Sequence, residues 1–225
     1  MNELARDFAA GTTTTVANAN LLPERARSIE AGIDVSARRQ QLTVTFFRSV
    51  VNDAIANVTT SIVGSAITRQ RRNAGDAHSK GVEIDTELQA SIVRLRASLT
   101  LLDAHFRNSQ EAALEGNWLP QVPERSLAVA GDLLLPFDHV ASIVVHDVST
   151  QFDDDRNTAA YKMSGAMQVD ARIGGAVRML RWYVAVENLG DTRIETGRSG
   201  STAAPLVTLA QGRAVRAGVT ITFGR

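Results

Sequence analysis

The chain has 225 residues, no cysteine and a formal net charge of zero, with 44% hydrophobic and only 5% aromatic residues. At zero net charge nothing argues for nucleic acid or for electrostatic attraction to a lipid surface, and the lack of cysteine excludes disulfides and thiolate metal sites. No run of about 18 uninterrupted apolar residues occurs, so no membrane-spanning helix is expected, and chemistry at the first residues (MNELARDFAAG) does not read as a leader peptide. An exported form is therefore expected to derive from a longer precursor.

Residues 1–25 carry a Thr12–Thr15 tract but no clean period, and read as the tail of an external loop. Beyond them, a period of two recurs. In SIEAGIDVSAR, Ile29, Ala31, Ile33 and Val35 alternate with Ser28, Glu30, Gly32 and Asp34. QLTVTFF sets Leu42, Val44 and Phe46 against threonines, and KGVEIDTEL sets Val82, Ile84 and Leu88 against Glu83, Asp85 and Glu87. VRLRASLTL alternates Val93, Leu95, Ala97, Leu99 and Leu101 with Arg94, Arg96, Ser98 and Thr100. Segments near 122–135 and 139–152 alternate less cleanly. MQVDARI and LRWYVAVEN restore the pattern with Asp170, Arg172, Arg181 and Glu187 on the polar side, and the chain ends on RAVRAGVTITFGR. Successive side chains of a strand leave opposite faces, so this is the signature of strands. It predicts nine of them and no convincing helix.

The connections sort by length. Those near Arg38–Gln41, Gln89–Ile92, Pro136–His139 and Gly174–Arg178 are short. Those near Asn52–His78, Arg107–Gln121, Asp153–Ala160 and Leu189–Gln211 are long and polar. Short and long alternate strictly, as in an outer-membrane barrel with tight periplasmic turns and long outer loops. The alternation alone also fits a soluble β-sandwich, in which the aliphatic face is buried against a second layer. In a barrel that face meets lipid, and the charged face lines a wet lumen. Phe137, Trp182 and Phe223 fall near short-turn ends, and Phe106, Phe152 and Tyr161 near long-loop ends, which is expected of two interfacial girdles.

Individual side chains suggest little chemistry. Glu83, Asp85, Arg94 and Arg96 are expected to form a ladder of cross-strand ion pairs. The Asp153–Asp155 run lacks the glycine turn of a calcium loop and reads as solvated loop. His78, His105, His139 and His146 do not have ligand spacing, and His146, Asp147 and Ser149 split between strand faces rather than converging. GRSGS lacks the lysine and following helix of a phosphate loop. No catalysis, metal or cofactor is expected.

Several stretches resemble TonB-dependent outer-membrane receptors. ANANLLPERARSIEAGI resembles the run leading into a late barrel strand, matched at Asn18, Leu21, Pro23, Glu24, Glu30 and Gly32. RNAGDAHSKGVEID matches at Asn73, Gly75, Gly81, Val82 and Glu83, LPQVPERSL at Pro120, Pro123 and Ser126, and VENLGD at Glu187, Asn188, Leu189 and Asp191. The resemblance implies a barrel of about 22 strands around an N-terminal plug. Aligned from its end, this chain supplies about the last nine strands, residues 26–225. An odd number of up-and-down strands does not close alone in bacterial barrels, so an incomplete barrel is expected.

The resulting expectation is an all-β, antiparallel, membrane-type barrel segment without catalytic residues. Glu83, Asp85, Arg94, Arg96, Asp170, Arg172, Arg181 and Glu187 are the lumen-facing candidates, and Phe223 is the implied terminal assembly signal. The resemblance implies energised uptake of a scarce solute, an iron chelate or cobalamin, across a Gram-negative outer membrane. Implied partners are outer-membrane lipid, the missing N-terminal barrel and plug, the TonB complex acting through that plug, and the barrel assembly machinery. A small passive pore completed by pairing with a second copy, and the soluble sandwich, stay open as alternatives.

Overall fold

The computed structural model describes residues 6–223. Two short strands come first, β1 (Phe8–Ala10) and β2 (Thr13–Val16). Then come β3 (Arg25–Ala37), β4 (Gln40–Asn52), β5 (Ile55–Val63), β6 (Ala66–Asn73), β7 (Asp76–Ala90) and β8 (Val93–Arg107). They are followed by β9 (Arg125–Leu135), β10 (His139–Val148), β11 (Gln151–Phe152), β12 (Lys162–Met163) and β13 (Ala166–Val177). Last are β14 (Leu180–Glu187), β15 (Glu195–Ser201), β16 (Ala204–Leu209) and β17 (Ala214–Ile221).

Nine of these form one antiparallel sheet in the order β17-β14-β13-β10-β9-β8-β7-β4-β3, so neighbours in space are neighbours among the wall strands in sequence. These are the nine that alternation predicts. The last tight turn differs. Gly174 and Gly175 stay in the ladder opposite Tyr183 and Trp182, and β13 runs on to Val177. The Gly-Gly pair reads as a turn in sequence, but a Cβ on Gly175 would lie 2.4 Å from the His139 ring. That glycine makes room for a cross-strand ring rather than for a bend.

The long connections are not irregular. The first folds into the β5–β6 hairpin and the last into the β15–β16 hairpin. The threonine tract, read as loop tail, is β2; β-branched residues suit extended backbone, and β2 pairs parallel with β6 in a four-stranded sheet ordered β1-β2-β6-β5. A single 3₁₀ turn at Ala159–Tyr161 is the one helical element among the described residues. Together these pieces cap one end of the wall.

The wall has no second layer. Ile29 is 72% exposed, Ile33 65% and Val215 69%. Total accessible surface is 14337 Å², against roughly 10,000 Å² for a compact globule of this mass. Interleaving with another sheet, as a sandwich requires, is thus absent. The buried side chains lie almost wholly in the cap, where Val58, Ala74, Phe106 and Leu114 form one cluster with Ala56 and Leu119 packed on it. Tyr161, Ile67 and Met163 are also fully buried there. This corrects the upper girdle: Phe106 and Tyr161, each 2% exposed, are cap core and not interfacial aromatics. At the opposite end Phe137 and Phe223 are exposed, as expected.

Gly75 joins β6 to β7 at φ +113°, where an added Cβ would sit 2.7 Å from Ser109 Cα and 2.8 Å from the Arg107 carbonyl oxygen. Gly75→Ala is expected to destabilise the folded chain by about 1–3 kcal/mol, read as a lowered midpoint of urea unfolding in detergent micelles.

Candidate functional site

The register settles which side chains share a face. Glu83, Asp85, Arg94 and Arg96 lie on the polar face of β7 and β8 with Asp170 and Arg172 of β13 and Arg181 and Glu187 of β14. The expected ladder does not form. Glu83 stands opposite Thr100, and Asp85 opposite Ser98. Arg96 instead reaches Asp132 of β9 at 2.9 Å, and Arg94 lies 4.0 Å from Glu87. The sequence hides Asp132 inside the otherwise apolar SLAVAGDLLL, so its place in the pairing was not legible. Ser142 also donates to Asp132, at 2.7 Å, which leaves that carboxylate 13% exposed.

Elsewhere on this face Arg216 pairs with Glu187 at 2.9 Å, and the Arg172 guanidinium stacks 4.6 Å from the Tyr183 ring centroid. Asp170 accepts from Gln168 Nε2 and from the Asn188 amide, both at 2.8 Å. Arg181 makes no hydrogen bond or ion pair among the described residues. These side chains are well solvated, so each pair contributes about 1 kcal/mol or less. Their role is to keep one face wettable. Asp85, Glu87 and Arg96 border a shallow recess of about 520 Å³ floored by Ala128 and Ala130.

The cap is held differently. The Asp153–Asp155 run, read as solvated loop, is instead its knot: Asp154 is 4% and Asp155 2% exposed. Asp155 accepts from the Thr59 amide at 3.0 Å and from Thr59 Oγ1 at 2.8 Å, tying this loop to β5. Asp154 accepts from the Thr158 amide and hydroxyl, and Asp153 from the Arg198 amide and Gln121 Nε2. The three adjacent carboxylates therefore close their own loop and tie it to β5, to the β15–β16 hairpin and to Gln121, with neutral donors. The acids at 153 and 155 look solvated in sequence because their donors lie tens of residues away.

Residues carrying the family resemblance also pin the cap. Glu24 accepts from the Ile55 amide at 2.6 Å. Asn73 donates to the Leu22 and Asp53 carbonyls and accepts from the Leu22 amide. Asn188, buried at φ 51°, closes a loop by donating to the Thr192 carbonyl and accepting from its amide. In the β15–β16 hairpin, Arg198 grips Glu195 through two bonds of 2.9 and 2.8 Å and donates to the Ala160 carbonyl. Tyr161 donates its hydroxyl to the Gly200 carbonyl, and burial raises the pKa of that hydroxyl. Between cap and polar face lies a second recess of about 520 Å³, bordered by Arg69, Gln121, Asp153 and Asp155. Arg69 Nε is buried there without a hydrogen-bond partner.

Among the described residues no three His, Asp or Glu side chains come together as metal ligands. Asp147 pairs with Arg125 at 2.6 Å on the aliphatic face, while His146 lies on the polar face, so the two do not converge with Ser149. Phe223 is 80% exposed just past β17, and Gly224 and Arg225 lie outside the described residues.

The Arg198 fork holds the Glu195 carboxyl below the ordinary glutamate pKa, and the Ser164 amide, 3.0 Å from Oε2, lowers it further. A depressed folded-state pKa gives stability that is present above the unfolded value and lost as pH falls through the folded one. The hairpin is thus expected to stay closed at neutral pH and to loosen only in acid. Following the Ser164 amide resonance against pH checks this: its acid titration disappears in Glu195→Gln.

The family model described as TonB dependent receptor-like, beta-barrel matches residues 1–189. No curated protein matches the chain. The ferric yersiniabactin uptake receptor FyuA from Yersinia pestis superposes with a TM-score of 0.73 at 20% identity, over 89% of this chain and 30% of its own. The ferric citrate transporter FecA gives 0.72 at 20% identity, over 89% and 32%. The copper transporter OprC gives 0.70 at 18% identity, over 92% and 32%. The chain therefore spans about a third of the length of these solved structures. An unpartnered aliphatic face, a charged face, sorted connections and a match over most of the sequence lead to one conclusion: the chain belongs to the TonB-dependent receptors and forms part of their β-barrel.

Proposed function

We propose that this chain is the C-terminal wall of an outer-membrane receptor for energised uptake of a scarce solute such as an iron chelate or cobalamin. The observation that carries the reading is the aliphatic face, which has no protein to cover it and so fits hydrocarbon. In this reading residues 1–25 belong to the outer side, and residues 26–225 make the wall with its outer loops. Glu83, Asp85, Arg94, Arg96, Asp170, Arg172, Arg181 and Glu187 line the lumen. The recess beside Arg69 and Gln121 is where the cap meets the solute.

The rest of the mechanism belongs to parts outside this chain. A plug filling the lumen would close the path at rest. The TonB complex, pulling on that plug, would supply the work, and the wall would act as a fixed frame. Phe223 would serve the barrel assembly machinery as a terminal aromatic.

The lack of cysteine makes a direct test possible. Ile33→Cys, Ile143→Cys and Ser98→Cys, each carrying an environment-sensitive fluorophore, are expected to divide by face when the chain is placed in bilayers. Brominated acyl chains should quench the labels at 33 and 143 and spare the one at 98. Equal quenching at all three positions would overturn the proposed orientation.

A further inference from the structure

We infer that the aliphatic face carries, at its cap end, a binding site for the phosphorylated headgroup of a membrane lipid. The inference rests on the orientation just proposed. The face is not aliphatic along its whole height. The row formed by Ala31, Phe46, Val82 and Leu101 is apolar. One step toward the cap, on the same face, the row reads Ile29, Arg48, Lys80 and Asp103. The next reads Arg27, Val50, His78 and His105. Period two should place aliphatic side chains here, and cations replace them.

The charges are not balanced within the protein. Arg48 and Lys80 are exposed and directly opposite on neighbouring strands, an arrangement that is destabilising unless something shares an anion between them. Arg27 and Arg48 have no hydrogen bond or ion pair among the described residues. Asp103 is already engaged by Lys80 at 3.1 Å and His105 at 2.8 Å, and Asp76, one row further toward the cap on this face, accepts from Asn108 at 2.7 Å. A recess of about 240 Å³ opens between Arg48, His78, Lys80, Asp103, His105 and Arg107. His78 Nε2 is buried beside it with no partner.

An anion with several acceptor oxygens satisfies this arrangement. The Arg48 fork, the Lys80 ammonium and His78 offer donors from adjacent positions, which matches a phosphate better than a lone carboxylate. Position selects the source. The patch adjoins the aliphatic band on the same face, at the height where headgroups begin if that band meets acyl chains. A free anion or an acidic protein would have no reason to be recognised there rather than on the cap.

The chain is inserted into phosphatidylcholine vesicles containing a minor fraction of phosphatidic acid, extracted in mild detergent, and its bound lipid is counted by mass spectrometry. Phosphatidic acid is expected to be enriched about tenfold over its vesicle fraction, equivalent to about 1.4 kcal/mol. Enrichment should vanish in R27Q/R48Q/K80Q, persist in R27K/R48K, and resist added inorganic phosphate. The label at Ile143→Cys, in the same vesicles, reports the orientation separately. A quenched label with no enrichment, or with equal enrichment in R27Q/R48Q/K80Q, overturns the headgroup site and leaves the orientation standing. An unquenched label overturns both. Loss of lipid on adding inorganic phosphate would reassign the patch to a free anion and overturn the lipid site.

Discussion

The structure depends on the two-residue period of an extended strand. Each wall strand must satisfy its backbone through the ladder, because no helix runs alongside and no second sheet backs it. The ladder then fixes where every side chain goes. Ile33, Val44, Ile84, Leu99 and Leu127 form one continuous aliphatic row because their strands pair without a slip. Asp34, Thr43, Asp85 and Ser98 form the polar row on the opposite face. A slip of a single residue anywhere would put carboxylates among the aliphatic side chains.

Cohesion is divided unequally between wall and cap. The wall gains little from burying its own side chains, and its charged pairs sit in water, where each contributes about 1 kcal/mol or less. The cap behaves like a small soluble domain, with a cluster around Phe106 and Leu114 and buried carboxylates held by backbone donors. Breaking one such carboxylate's contacts leaves unpaired polar groups at about 1–3 kcal/mol each. The wall therefore relies on its surroundings for cohesion, while the cap brings its own. This division suits a structure whose loops must hold a defined shape in water above a sheet adapted to another medium.

What the sequence revealed follows from the same period. Strand number, faces and the alternation of short and long connections were all legible, since each depends only on neighbours along the chain. The cap was not. Asp155 meets Thr59 across 96 residues, and nothing local distinguishes it from a solvated acid. The Thr12–Thr15 tract is a strand because β1 pairs with it on one side and the distant β6 on the other. Within the site, all eight predicted polar-face residues share a face, but their partners were misassigned. Alternation gives the face, and only register gives the partner. Register placed Asp132 opposite Arg94, within diagonal reach of Arg96, and left Asp85 opposite Ser98.

The edges carry the last step. β3 pairs only with β4, and β17 only with β14, so each leaves one side of its backbone without a strand partner among the described residues. β3 has 13 residues and all of them are exposed. In hydrocarbon every unpaired N–H or C=O costs several kcal/mol, so a long bare edge cannot persist there. In water the same edge templates aggregation. Under either solvent these edges demand further strands. The family supplies that answer: the solved receptors that superpose on this chain continue for about twice its length again. The open edges and the sheet's uncovered face therefore express one requirement, a ring large enough to return on itself.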